Sequence, residues 1–173
     1  MEAAKALPDS DWRAFPAPFV GEWIECDAVR DERKLTLSWL MPSEAARYDH
    51  GNMHYLANLI GHEAPGSILS ALKAEGLANA LSAGPSLDSH AWQLFDVTID
   101  LTEQGLADTE RVVAIVFQYV RMLLKQGASE RVYNELRDLS AMSFRFASKQ
   151  DPISFSQHMS MSLQHARDED VVI

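Results

Sequence analysis

The sequence has a single cysteine, Cys26, among 173 residues. An intrachain disulfide is therefore impossible, and a reducing compartment is permitted. No apolar run approaches the roughly 20 residues that a helix needs to cross a bilayer. The first residues, Met-Glu-Ala-Ala-Lys, lack the basic start and apolar segment of a secretory signal. We therefore expect a cytoplasmic protein with no membrane partner.

Basic residues are scarce as well. The chain carries 15 Lys and Arg against 25 Asp and Glu, which gives a formal net charge of −10. Proteins that bind nucleic acid need clustered Lys and Arg to neutralise phosphates, so we expect no nucleic-acid partner. An acidic surface instead favours solubility and weakly attracts basic peptides.

Arrangements of residues that carry catalysis are also missing. Asp88-Ser89-His90 has the residue types of a catalytic triad, but adjacent residues cannot converge as nucleophile, base and orienting group. The segment from Gly61 to Gly66 lacks the Lys and Ser/Thr of a phosphate-binding loop. We therefore expect no catalytic residues in this chain.

Metal binding has one weak candidate. His50 and His54 are four residues apart, a spacing that can place two imidazoles on one face of a helix. Gly51 and Asn52 lie between them and are typical of a helix start. We interpret the pair as a loop histidine beside a helical histidine, and we expect no metal ligands.

Alternation of apolar and polar residues predicts the strands. Leu35 to Met41 and Ala91 to Leu101 both have one apolar and one polar face, and a wet face favours an antiparallel sheet. Trp23 to Val29 and Ala78 to Ala83 are weaker candidates. Gly84-Pro85-Ser86 is typical of a turn.

Helical spacing of apolar residues predicts the helices. A short helix carries Met53 to Ile60. A second begins near Pro65, which suits a first helical turn, and Gly76 ends it in a left-handed conformation. Longer helices are predicted over 103–125, largely buried and capped by Thr102, and over 129–146. A weaker amphipathic stretch covers 154–165.

These elements predict an α+β fold in which helices pack on one face of a short, mostly antiparallel sheet of three or four strands. Three prolines and many small or charged residues make residues 1–19 a tether. Residues 20–173 are then one domain, as the chain length also favours.

Five strings of residues carry a resemblance to a known family. They are Leu59-Ile-Gly-His-Glu-Ala-Pro-Gly-Ser-Ile-Leu-Ser-Ala-Leu-Lys-Ala-Glu-Gly76, Asp100-Leu-Thr-Glu-Gln-Gly-Leu106, Val116-Phe-Gln-Tyr119, Glu135-Leu-Arg-Asp-Leu139 and Phe144-Arg-Phe146. Their sequence and spacing resemble the insulin-degrading enzyme and pitrilysin family of zinc metallopeptidases, and the likeness runs over roughly residues 20–165.

The resemblance implies a domain without catalysis. The family's zinc motif, His-x-x-Glu-His, does not occur in these residues. The matching part of the family is the second domain of the N-terminal half, an α+β domain that continues past the end of this chain, so we expect a truncated copy. The resemblance thus implies no cofactor in this chain and zinc in the parent peptidase.

The same resemblance implies a peptide-binding exosite. In this family the domain holds the N-terminal end of a peptide substrate away from the zinc. By position, the exosite residues are His54, Gly61, Glu63, Leu81 and Ala83. A glycine lets a peptide backbone approach closely, and Glu63 can pair with an α-ammonium group. Leu81 to Ala83 would offer backbone hydrogen bonds from an edge strand.

Four positions depart from the family pattern, and two alternatives stay open. Asn58 stands where the family usually has His, Ala57 and Ala83 replace glycines, and Pro85 replaces a polar residue. The Gly61–Glu63 corner is equally compatible with a plain helix–helix turn. The chain is also compatible with a free-standing interaction module that self-associates or binds neighbouring domains through an unfinished sheet edge.

Overall fold

The computed structural model describes residues 21–44, 51–89, 92–149 and 151–165. The predicted tether, residues 1–19, lies outside this part of the chain. The elements in chain order are β1 (Lys34–Pro42), α1 (Asn52–Ile60), α2 (Ile68–Ala74), β2 (Ala78–Asp88), β3 (Trp92–Leu101), α3 (Glu103–Ala107), α4 (Thr109–Gln126), α5 (Glu130–Arg145) and α6 (Pro152–His165).

The three strands form one antiparallel sheet in the order β1-β3-β2. Ile99 in the middle strand pairs with Leu35 on one side and with Leu81 on the other. The predicted α+β fold with a short antiparallel sheet is confirmed. Within the described residues β1 and β2 are both edge strands, and the candidate site lies beside β2.

The core lies between one face of the sheet and the first helices. Along β3, Phe95, Val97, Ile99 and Leu101 are buried, and the residues between them are partly exposed. From the helices, Ile68, Leu72 and Val112 are fully buried against this face. The alternation that predicted β3 therefore also decides which face the helices cover.

Helix α2 is fixed at both ends by its sequence. The Ser67 side chain caps its start by accepting a hydrogen bond from the Ser70 amide at 3.1 Å. Gly76 has φ +70°, and the Leu77 amide donates to the Leu72 carbonyl at 2.9 Å, so this end has the bonding of a Schellman motif. The predicted glycine cap is correct, whereas Pro65 precedes the helix instead of forming its first turn.

One predicted strand and one predicted turn are wrong. Residues 23–29 form no strand, and Trp23, Ile24 and Val29 are exposed. Gly84-Pro85-Ser86 is no turn, because β2 runs through it to Asp88 with a register irregularity between Pro85 and Leu87. An edge strand tolerates proline, since one side of its backbone needs no hydrogen-bond donor.

The predicted helix over 103–125 is two helices. Asp108 separates α3 from α4 and caps α4 by accepting a hydrogen bond from the Arg111 amide at 3.3 Å. Aspartate favours such caps because its side chain competes with the helical backbone. The predicted burial is also wrong for much of α4, since Phe117 is 49% and Leu124 80% exposed.

The last two helices begin and end close to the predicted positions. Ser129 caps α5, and Leu136 is its buried hydrophobic residue. Helix α6 is largely exposed over the residues described. No helix in the described ranges has the length and apolar character needed to cross a membrane.

Candidate functional site

The turn between α1 and α2 is held by its own hydrogen bonds. The Gly61 amide donates to the Ala57 carbonyl at 2.8 Å and ends α1. The His62 side chain accepts a hydrogen bond from the Ala64 amide at 2.9 Å through Nδ1. The Ser67 amide donates to the Ala64 carbonyl at 3.1 Å and leads into α2. We call residues 61–64 the corner.

The corner lies directly against β2. A Cβ atom built on Gly61 would lie 3.6 Å from the amide nitrogen and 3.7 Å from the Cβ of Ala83, and 2.8 Å from the Ala57 carbonyl oxygen. The last distance is shorter than real Cβ contacts, so a side chain at this position would displace backbone. Glycine is therefore required here, and the structure places Gly61 beside Ala83.

A second close contact lies one residue further along β2. A Cβ built on Gly84 would lie 3.8 Å from the Ala57 Cβ, an ordinary van der Waals distance. The methyl groups of Ala57 and Ala83 thus occupy the space between α1 and β2 where the family pattern has glycines. These two departures make the space beside the corner smaller than glycines would leave it.

Glu63 projects from the corner into solvent. Its side chain is exposed and has no hydrogen-bond or ion-pair partner within the described part of the chain. A carboxylate in this condition is available to a cationic ligand. Its exposure also means that water and salt screen any pair that it forms.

Leu81 and His54 are placed differently from the corner residues. The Leu81 side chain is 7% exposed and belongs to the core, so only its backbone can face a ligand. His54 is exposed in the first turn of α1, seven residues before Gly61. At 1.5 Å per residue, it stands about 10 Å along the helix axis from the corner.

Two tyrosines fix α1 against the later helices. The Tyr119 hydroxyl of α4 donates to the Leu59 carbonyl at 3.1 Å, and burial raises the pKa of this hydroxyl. The Tyr55 hydroxyl accepts from the Ser129 amide at 2.8 Å. Beside Tyr55 an open cavity of about 490 Å³ lies between α1 and the start of α5. These contacts set the position of α1, and hence of the corner, relative to the sheet.

Metal binding does not fit the described residues. They contain no group of three or more His, Cys, Asp or Glu side chains that could hold one ion. His50, His90 and Ala91 lie outside the described ranges. The described residues therefore provide no ligand set for a zinc ion.

One functional candidate was missed by sequence reasoning. Asp96, on the exposed face of β3, has a buried carboxylate oxygen, Oδ1, without a hydrogen-bond partner. The alternation of β3 predicts that Asp96 lies on the face away from the core. The sequence does not predict that Oδ1 has no partner, because this depends on Ser38 and Gly84, which lie opposite Asp96 on the neighbouring strands.

Comparison with known proteins places the chain among peptidase domains. Residues 5–139 match the family model described as peptidase M16 inactive domain. The chain is 37% identical to insulin-degrading enzyme from Drosophila melanogaster over 153 residues, which are 88% of this chain and 16% of that protein. It is 32% identical to insulin-degrading enzyme from Homo sapiens over 166 residues, 96% of this chain and 16% of that protein.

A solved structure supports the same assignment at the level of the fold. The crystal structure of pitrilysin superposes with a TM-score of 0.76 at 21% identity, covering 81% of this chain and 15% of that one. The chain thus spans about a sixth of the length of the curated relatives named above. The family match covers most of the chain, and the chain belongs to the peptidase M16 inactive domain family.

Proposed function

We propose that this chain is the peptide-binding, non-catalytic domain of an insulin-degrading-enzyme-like zinc endopeptidase. It holds the N-terminal part of an extended peptide along β2. One observation carries the proposal: β2 is an edge strand of the described sheet, and the Gly61 corner with its unpaired Glu63 carboxylate lies against it.

The peptide binds as an added strand. In an antiparallel pair, alternate residues of an edge strand point their N–H and C=O groups away from the partner strand. A peptide can satisfy these groups in place of water. Pro85 has no N–H to offer, so the usable edge is the stretch from Leu81 to Gly84. The interaction is therefore short and largely independent of side chains.

Glu63 then sets the position of the peptide. A free N-terminus is positively charged below a pKa of about 7.7–8.0. The Glu63 carboxylate at the corner can receive it, because no side chain in the described ranges competes for that carboxylate. This contact distinguishes the end of a peptide from an internal segment, which has no ammonium group.

Hydrolysis belongs to other parts of the parent protein. The relatives named insulin-degrading enzyme are about six times longer than the matched region, and the described residues offer no metal-binding group. In such a parent, zinc-activated water would cleave the peptide. This domain would contribute binding energy from a distant part of the substrate.

The test is a titration of a ten-residue fluorescent peptide, with its N-terminus free or acetylated, against the full chain. We expect acetylation to weaken binding about 5-fold, since an exposed charged contact is worth up to about 1 kcal/mol. Glu63→Gln should cause the same loss with the free peptide and none with the acetylated one.

Glu110→Gln is the matched control, because Glu110 is also exposed on α4 and remote in sequence from the corner. It should bind both peptides as the wild type does. Equal affinity of wild type and Glu63→Gln for the free peptide would refute the role of Glu63. No binding of either peptide would refute the proposed function itself.

The second candidate function is self-association through a sheet edge. The open edges of both β1 and β2 favour it, because unpaired edge strands seek partners. Sedimentation velocity across a 100-fold concentration range separates the two ideas. If the peptide dissociates a dimer, then the peptide and the second copy of the chain compete for β2. If the peptide leaves the dimer intact, the chains associate through another surface.

A further inference from the structure

The corner contains a histidine whose side chain encloses Glu63. The Nδ1 atom of His62 accepts a hydrogen bond from the Ala64 amide at 2.9 Å, so the bond spans a single residue, Glu63. Within the described part of the chain it is the one hydrogen bond that an amide of residues 62–64 makes. The direction in which the Glu63 side chain leaves the corner therefore depends on this bond.

The same bond fixes the protonation state of the His62 ring. A backbone N–H group can only donate, so the accepting Nδ1 atom carries no proton and the ring proton lies on Nε2. An imidazolium has a proton on both nitrogen atoms and cannot accept a hydrogen bond. The bond to Ala64 therefore exists only while His62 is neutral.

No charged side chain in the described ranges holds the His62 ring. The ring is exposed and makes no ion pair and no second hydrogen bond with those residues. Strand β2, against which the corner lies, has no ionisable side chain from Ala78 to Leu87. The ionisable side chains on α1 and α2, or in contact with α1 from α4, are His54, Tyr55, Lys73 and Tyr119.

Neither tyrosine is free to replace the lost bond. The Tyr55 hydroxyl is bound to the Ser129 amide, and the Tyr119 hydroxyl is bound to the Leu59 carbonyl. Glu63, the residue that follows His62, is thus the charged group most directly exposed to a change of charge on the ring.

We propose that His62 is a positioning residue of the corner and makes peptide binding depend on pH; this inference rests on the proposed function. The neutral ring holds the backbone that presents Glu63 to the ammonium group of the peptide. Protonation removes the bond to Ala64 and releases that backbone. The new positive charge also attracts the Glu63 carboxylate and repels the incoming ammonium group.

The direction of the pH dependence follows from these two effects. The neutral form of His62 is the competent one, so the affinity for a free N-terminus falls as the pH falls. Histidine is the side chain whose charge ordinarily changes between about pH 5 and 8. Carboxylates and α-ammonium groups keep most of their charge between about pH 5.5 and 7.0. Acidification within this range therefore releases peptides that the corner holds by their N-termini.

The experiment measures the affinity of the full chain for the ten-residue fluorescent peptide, with its N-terminus free or acetylated, at about pH 7.0 and 5.5 and about 0.15 M salt. The ratio of the two dissociation constants isolates the ammonium contact, because effects on the rest of the peptide cancel. We expect the wild type to prefer the free peptide about 5-fold at the higher pH and less than about 2-fold at the lower pH.

Three variants separate the titration of His62 from its structural contribution. An asparagine side chain can accept a hydrogen bond from the amide two residues on and does not titrate. His62→Asn should therefore keep a preference of about 5-fold at both pH values. His62→Ala has no acceptor and should show less than about 2-fold at both. His158→Asn, which removes an exposed histidine from α6, should keep the pH dependence of the wild type.

A second measurement follows the hydrogen bond without any peptide. In a proton–nitrogen correlation spectrum of the wild type, the Ala64 amide resonance should shift on acidification, because its acceptor becomes protonated. In His62→Asn the same resonance should stay in place. An Ala64 resonance that does not respond to pH in the wild type overturns the inference.

The outcomes separate this inference from the function on which it rests. A wild-type preference that is equal at both pH values overturns the role of His62 while the Glu63 contact stands. A preference that falls with pH in His62→Asn as it does in the wild type also overturns it, because another group must then titrate. Absence of binding of either peptide at the higher pH overturns the proposed function and this inference with it.

Discussion

The two ends of the described chain differ in how they are packed. From β1 to the first half of α4, each strand and most helices contribute buried side chains to one core. In α5, Leu136 is buried, while Phe144 and the residue that follows the helix, Phe146, are 67% and 73% exposed. In α6, Ile153 and Met161 are about as exposed, at 70% and 67%.

This difference coincides with the extent of the family match. The match covers residues 5–139 and stops inside α5, which is also where burial stops. Isolated helices of this length are marginal in water without a packed face. The first region therefore folds around its own core, whereas α5 and α6 derive little stability from it.

The largest predicted effect breaks the well-packed region. Leu72, on α2, is completely buried, whereas Leu139, on α5, is 49% exposed. We expect Leu72→Ala to lower the free energy of unfolding by about 3 kcal/mol, because it leaves a cavity in the core. Leu139→Ala, the matched control, should change it by less than about 0.5 kcal/mol. Urea unfolding followed by circular dichroism measures the free energy of unfolding of both variants. Similar losses in the two variants would refute the division into a well-packed and a loosely packed region.

Two glycines give a smaller contrast of the same kind. A Cβ on Gly105, in α3, would lie 1.9 Å from the Leu77 carbonyl oxygen, so the chain must move. We expect Gly105→Ala to cost about 3 kcal/mol. Gly127, between α4 and α5, has φ +72° and ψ −171°, a backbone conformation that essentially only glycine adopts, and open space around it, so Gly127→Ala should cost about 2 kcal/mol from backbone strain alone. The same unfolding assay compares them, and a milder effect at Gly105 would contradict the close packing of α3 on Leu77.

Sequence periodicity and capping residues predicted correctly those features that depend on one element alone. The alternation of β3 predicted its buried face, and Gly76 and Thr102 predicted a helix end and a helix start. The break at Asp108 was not predicted, because the apolar stripe of α4 is compatible both with one long helix and with two helices. Pro85 led to the wrong prediction of a turn, because the sequence does not reveal that β2 is an edge strand, where a proline is tolerated.

The candidate site depends more heavily on tertiary structure. The family resemblance suggested Gly61 and Glu63 as site residues, but only the structure shows that Gly61 lies beside Ala83 and that Glu63 has no partner among the described residues. Asp96 belongs to the same class. Its neighbours across the sheet, Ser38 and Gly84, follow from the strand register, and register between strands distant in sequence is not encoded in either strand alone.

The smallest predicted effect compares an ion pair in each region. In the well-packed region, Arg111 of α4 donates through Nε to the Glu75 carboxylate at 2.8 Å and makes a second hydrogen bond through Nη2. This hydrogen bonding to Arg111 lowers the pKa of Glu75, and Glu75 raises that of Arg111. On α5, Arg137 pairs with its neighbour Asp138, which joins no separate elements.

Because the pKa of Glu75 is lower when folded than when unfolded, its stabilisation is present above the ordinary glutamate pKa of about 4.3. It is lost as the pH falls through the folded value. Glu75→Gln should therefore lower Tm slightly at pH 7, and the difference from wild type should vanish at low pH. Asp138→Asn, the control on α5, should leave Tm unchanged at both pH values, because an ion pair between adjacent residues of one helix does not hold two elements together. A Tm difference for Glu75→Gln that persisted at low pH would show that the carboxylate acts by packing and not by charge, and the electrostatic link between α2 and α4 would then be wrong.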